Sequence, residues 1–209
     1  MERGHGIAVA PMIDEAISTA EWRPSSLDAV AVTTGPGSFT GLRIGLAAAK
    51  GLALVVNRPL VGVSCFEAVA TPALARRSSD MESWDIAVLA LESRRAEIFA
   101  EVIAANGTIL IPPCTALPAE ILKAVSLLRE KHATAHYNTV AFLGEAAGKL
   151  SNLGHPNLEL VAMDQNPPDL AAVSKLALAR LEGNNRMRSY TPGQTLEYLR
   201  EPDTGPSAP

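Results

Sequence analysis

Apolar positions Val9, Ile13, Ala16 and Ile17 fall close to one face of a helix over residues 7–20. Pro11 lies inside that run and is a candidate for its first turn, where a missing N–H costs nothing. "EWRPSS" breaks the pattern. "LDAVAVTT" (Leu27–Thr34) then has the β-branched character of a buried strand. "GPGSFTG" turns the chain, residues 42–56 are helical by composition, and Asn57-Arg58-Pro59 ends that helix. "LVGVS" (Leu60–Ser64) is a second buried strand, followed by a helix over Phe66–Arg77. After the polar "RRSSDMES" the rhythm changes. "WDIAVLALES" and "RRAEIFAEVIAANG" predict two strands with a tight connection, and Asn106-Gly107 marks the next turn. "TILIPPC" predicts a third strand, stopped at Pro112-Pro113. Ile121, Leu122, Val125 and Leu128 share a helix face over Pro118–Lys131. "TVAFLGEAAGKLSN" reads as strand then helix, "LELVAM" as a strand, and Asp169–Leu181 as a closing helix.

The second half is therefore β-β-β-α-β-α-β-α. That order resembles one lobe of the two-lobed actin-like and sugar-kinase-like (ribonuclease-H-like) α/β folds, where an antiparallel meander is joined by parallel strands. The first half shows only the later part, α-β-α-β-α. If the lobes are duplicates, about three strands are expected before Met1. The lobes are expected at 1–81 and 82–200, with a Pro-, Gly- and Ser-rich disordered tail at 201–209.

The stretch Thr33–Leu54, "TTGPGSFTGLRIGLAAAKGLAL", has two readings. A glycine-rich turn at a helix start can hold a phosphate. Against this, Leu42-Arg43 stand where a Walker loop needs Lys and Ser/Thr, Thr40 stands at the sixth place of the dinucleotide fingerprint, and Pro36 removes a donor. In the second reading, Gly41, Gly45, Ala49 and Ala53 recur every fourth residue and form a stripe poor in side chains. Such a stripe permits close helix approach, either to the lobe's own sheet or to another subunit.

Composition narrows the class. Apolar residues are 47%, charged 19% and aromatic 4%, so the core is built from Ala, Val, Leu and Ile. A net charge of −4 attracts no nucleic acid by field alone. Cys65 and Cys114 show no CxxC spacing, which suits a reducing compartment. The most apolar windows, Leu52–Val56 and Ile86–Leu91, fall short of the roughly 18–20 residues of a membrane span, and the N-terminus has no signal-peptide pattern. The expectation is a cytoplasmic protein without a membrane segment.

"AVTTGPGSFTGLRIGLAAAKGLAL" followed by "PLVGVSCFEAVA" resembles the bacterial TsaB (YeaZ) family of tRNA threonylcarbamoyladenosine biosynthesis proteins. Weaker echoes are "GHGIAVAPMIDEAI", "ALESRRAEIFAEV" and "YLREPD". The resemblance implies the actin-like fold and a non-catalytic scaffold or activator without cofactor. It implies dimerisation with TsaD, the catalytic subunit that forms threonylcarbamoyladenosine beside the tRNA anticodon, and assembly with the ATPase TsaE. Free family members also pair with themselves, and tRNA is met only through the complex. The interface implied here comprises His5, Met12, Gly41, Arg43, Gly45, Ala49 and Ala53. Relatives begin with the strand-rich segment that the lobe comparison calls for, so a misplaced start or a truncation is expected. Glu92 and Ala96 replace the usual Asp and Gly of the turn between the first two strands of the second lobe.

Other chemistry fits less well. His132 and His136 have the helical spacing of metal ligands, but Ala133 stands where a zincin has its glutamate. Val9 stands four residues after His5, so the TsaD-type histidine pair is lacking. Cys65 has no assignable base, and Ser38 reads as a helix cap. The rival function is a stand-alone actin-like ATPase or a glycoprotease-type peptidase. The first needs carboxylates around magnesium and the second a nucleophile–base pair; neither is identifiable in the sequence.

Overall fold

The computed structural model describes residues 5–78, 83–131, 137–154 and 159–183, together with Leu196 and Leu199, the side chains of His5, Ser78 and Lys131 excepted. The chain divides into two compact units. One holds residues 1–68 and 169–197, the other 69–168 and 198–209.

In the first unit, α1 (His5–Thr19) and a short turn at Pro24–Ser26 precede β1 (Val30–Gly35), α2 (Phe39–Val56) and β2 (Leu60–Ser64). Pro11 sits inside α1 rather than at its first turn. Its ring is on the exposed side, where one missing backbone bond is tolerated with a bend. β1 and β2 pair in parallel, Val30 with Leu60 through Thr33 with Val63. Alternate side chains of β2 point to opposite faces. Leu60 meets Leu46, Ala49 and Ala53 of α2, while Val61 and Val63 meet Val173 and Ala177 of α6 (Leu170–Gly183). Chain order alone puts this closing helix in the 82–200 lobe. It falls instead in the first unit, because the second face of the two-stranded sheet is apolar and needs a cover.

The second unit carries a five-stranded sheet in the order β5-β4-β3-β6-β7. Its strands are β3 (Ile86–Glu92), β4 (Ile98–Ala104), β5 (Ile109–Ala116), β6 (Thr139–Leu143) and β7 (Glu159–Asp164). β3, β4 and β5 form the antiparallel meander, and β6 and β7 join in parallel, as the sequence order predicts. β3 and β4 are buried almost throughout, which explains their continuous apolar runs. The side chains of α4 (Pro118–Lys131) and α5 (Ala147–Ser151), among them Ile121, Val125 and Leu150, close over Val88, Val102 and Phe142. Fully burying one Val, Leu or Ile contributes about 1.5–3 kcal/mol. The strand that Pro112-Pro113 is expected to stop continues through them. β5 lies at the sheet edge, and a register shift places the two prolines in a bulge between the Val102–Ile111 and Ala100–Cys114 pairs. α3 (Cys65–Ser78) begins in the first unit and ends in the second.

Two features hold the second sheet in register. Asp85 accepts hydrogen bonds from the Asn138 and Thr139 amides at 2.8 and 2.9 Å and from the Thr139 hydroxyl at 2.8 Å, joining the start of β3 to that of β6. At the other end of β3, Lys149 donates to Glu92 at 2.7 Å and to the Arg95 carbonyl, and the Arg94 amide donates to Glu92. Arg94 takes the left-handed conformation (φ 61°) in this turn. Burial raises the Asp85 carboxyl, but the bonds from Thr139 and Asn138, with the Arg77 charge, outweigh it and leave the group below its ordinary value. Glu92 is likewise raised by burial and lowered further by Lys149 and the Arg94 and Ser93 amides.

Both groups are depressed in the folded state. Their stabilisation is present above the unfolded carboxylate values, near pH 4, and is lost as pH falls through the lower folded values. Urea midpoints should therefore drop between about pH 5 and pH 3, and Asp85→Asn should flatten that drop. Gly144 has φ 103°, and a Cβ built there would lie 2.4 Å from the Ala90 carbonyl oxygen. Gly144→Ala should lower unfolding free energy by about 1–3 kcal/mol in the same titration at pH 7.

Candidate functional site

α2 is set up by its termini. The Ser38 hydroxyl accepts the Gly41 amide at 3.3 Å, the cap expected of it, and Asn57 closes the C-terminus in the left-handed conformation (φ 51°). The Arg43 guanidinium lies over the Phe39 ring at 3.8 Å. The inner face of the helix, Leu46, Ala49 and Ala53, rests on Val30, Val32 and Leu60.

The every-fourth-residue stripe does not stay on one side. Four residues advance the helix by a full turn and about 40° more, so over twelve residues the stripe winds through about a third of the circumference. Gly41 is exposed and Gly45 half-exposed. Ala49 and Ala53 have gone under, at 8% and 0% exposure. The interface expectation for Ala49 and Ala53 is therefore corrected: they seat α2 on its own sheet, and only the Gly41–Gly45 end of the stripe is open. Arg43 is exposed, and Met12 on α1 is 63% exposed. His5 opens α1, but its side chain lies outside the described residues.

The outward face carries apolar residues that the stripe did not point to. Ile7 on α1 is 85% exposed, and Leu54 and Val55 near the end of α2 are 63% and 82% exposed. α1 has no buried residue among those described, and it lies against α2 where Gly6 approaches Ile44. Gly51 is exposed, and neither Gly45 nor Gly51 would bring a Cβ within 4 Å of any other group. The signal for this face was present: apart from Arg43 and Lys50, α2 is built of apolar or small residues, and these are not confined to one side. By length and composition its 18 residues, mean hydropathy 1.5, suffice to cross a membrane. The sequence reading in short windows missed this because glycine and alanine interrupt the bulky residues.

The remaining candidates are structural or lie elsewhere. Cys65 is buried at the start of α3. His132 and His136 lie outside the described residues. Among the described residues, no three His, Cys, Asp or Glu side chains group as metal ligands would.

A sheet of antiparallel meander and parallel strands, with a second parallel unit carrying helices, defines a two-lobed α/β protein of the actin-like, ribonuclease-H-like class. Solved structures agree. YeaZ from Pseudomonas aeruginosa superposes with a TM-score of 0.59 over 87% of this chain and 80% of its own, at 24% identity. A second P. aeruginosa structure, described as an uncharacterized protein with similarity to peptidase YeaZ, gives 0.60 over 91% and 82%. The family model described as "TsaD: tRNA N6-adenosine threonylcarbamoyltransferase" matches residues 1–184, and the chain belongs to that family.

Curated relatives divide into two kinds. A tRNA N6-adenosine threonylcarbamoyltransferase of Anaeromyxobacter dehalogenans is 49% identical over 65 residues, 31% of this chain and 20% of that protein. The tRNA threonylcarbamoyladenosine biosynthesis protein TsaB of Haemophilus influenzae is 33% identical over 103 residues, 49% of this chain and 42% of that protein. TsaB of Escherichia coli is 32% identical over 97 residues, 46% and 40%. The chain thus spans 20% of such a transferase and 42% of such a TsaB. The resemblance to TsaB read from the glycine-rich turn and its helix is borne out by these relatives.

The two sides of α2 should respond oppositely to added volume. Ala53→Leu overfills the seat on the sheet and should lower the chain's own stability by about 1–3 kcal/mol. Gly51→Ala adds a methyl into open space and removes a helix-interior glycine, and should raise it by about 0.5–1 kcal/mol. Urea unfolding of the two variants checks both signs.

Proposed function

We propose that this chain is a non-catalytic subunit in the formation of threonylcarbamoyladenosine on tRNA, docking through the outward face of α1 and α2 onto a TsaD-like transferase. The observation that carries this reading is that Gly45 and Gly51 cost the helix about 1 kcal/mol each relative to alanine, although nothing in the chain's own fold occupies the space beside them. A neighbouring helix that approaches close to the backbone accounts for that cost. Ile7, Met12, Leu54 and Val55 are exposed apolar residues on the same two helices. Gly41, Gly45, Arg43, Met12 and His5 remain in the proposed surface, and Ile7, Gly51, Leu54 and Val55 join it.

The scaffold role is supported by TsaB relatives that match longer stretches of this chain than the transferases do. Val9 in place of a histidine also separates the chain from the TsaD-type metal pair. A TsaE-like ATPase would join through the transferase assembly, tRNA would be contacted only there, and a homodimer would use the same face. The setting would be the cytoplasm.

Gly51→Leu and Val55→Asp test the surface. Both should leave the urea midpoint of the isolated chain unchanged or raised, and both should abolish co-purification with a TsaD-like catalytic subunit. Undiminished co-purification of both variants would mean that the partner docks elsewhere or not at all.

A further inference from the structure

The two edges of the β1–β2 sheet are treated differently. The Val30 amide donates to the Pro59 carbonyl, which sets the phase of the parallel ladder. In that phase Val61 and Val63 turn their backbone groups toward β1, and Gly62 and Ser64 turn theirs to the outer edge of β2. Leu60 faces the same edge, and of these three residues Gly62 and Ser64 are met by side chains. Arg180 of α6 donates through Nη1 to the Gly62 carbonyl and through Nη2 to Oε1 of Glu67. Oε2 of Glu67 accepts the Ser64 amide at 2.8 Å. The guanidinium thus occupies an acceptor, the Gly62 carbonyl, and the carboxylate a donor, the Ser64 amide, that a further strand would need. The Arg180 and Glu67 side chains are 39% and 42% exposed, so the pair laid across the edge reaches the surface while Leu60–Val63 beneath it are buried. The guard is one-sided: among the described residues the outward backbone groups of Ala31 and Thr33 on β1 have no such partners.

We infer that Arg180 and Glu67 form an edge guard that closes β2 to strand addition. Exposed strand edges are templates for pairing between chains, and charged side chains placed across them are a recurrent protection. The clamp also ties α6 to the sheet it covers. Arg180 sits on α6 and Glu67 in the first turn of α3, so the cover over the Gly62 carbonyl is conditional on α6 being docked.

The test uses Arg180→Met, which keeps the aliphatic stem and removes the donors. Its elution profile over a concentration series is compared with wild type, together with thioflavin T fluorescence and far-ultraviolet circular dichroism. The expected result is larger species whose share rises with concentration and fluorescence several-fold above wild type, with helix content retained. A second variant separates edge pairing from simple unfolding. Arg180→Met/Ser64→Pro removes the outward Ser64 amide and blocks the edge with a ring, leaving the backbone ladder to β1 in place; Ser64→Pro alone, which loses the Ser64 hydroxyl's bonds to Gly35 and Phe66, is the control for that loss. The double variant should return the elution profile to that of wild type. Arg180→Met eluting as wild type at every concentration would overturn the inference. So would association that the added proline does not reverse.

Discussion

The seating of α2 on the β1–β2 sheet is the contact on which the first unit depends. Two parallel strands cannot hold together alone; they need cover on both faces. α2 covers one face through Leu46, Ala49 and Ala53, and α6 covers the other through Val173 and Ala177. The small side chains at 49 and 53 let the helix lie near the strands without displacing Val30, Val32 or Leu60. Once that side is committed, the rotation of α2 about its axis is set. Gly41, Gly51, Leu54 and Val55 are left facing outward as a consequence.

That rotation links packing to the proposed docking. A helix built of apolar and small residues on all sides would ordinarily be enclosed. Here the fold encloses one side and α1 lies along part of the rest, itself without a buried residue among those described. The outward surface is therefore large-residue apolar at its end and nearly bare backbone along its middle. Such a surface suits a helix-on-helix contact better than a small-molecule pocket. Arg43, stacked on Phe39, places a charge at the N-terminal end of α2.

Family membership and the proposed role stand at different depths. The glycine-rich turn followed by its helix is long enough to identify relatives from sequence, and the family match and the superposed structures agree with it. The choice of partner face is a matter of geometry. Reading every fourth residue as one stripe overlooked the drift of about 40° per step, which carried Ala49 and Ala53 to the inside. The outer residues Leu54 and Val55 look in sequence like any core pair, and nothing in their identity says which way they point.

Local chemistry determined the elements. β2 and α4 have the bounds that their apolar runs and flanking prolines predict, and the meander followed by parallel strands was legible in the order of the second half. Ser38 as a cap was legible too, because capping depends on neighbours within one turn. Long-range contacts decided the rest. α6 belongs to the first unit because an apolar sheet face there needed cover, although it follows β7 of the second. Pro112 and Pro113 remain in a strand because that strand is an edge with a bulge. Which side of α2 is inside depended on where the strands lay, since a helix with apolar residues all round has no preferred face until another surface selects one.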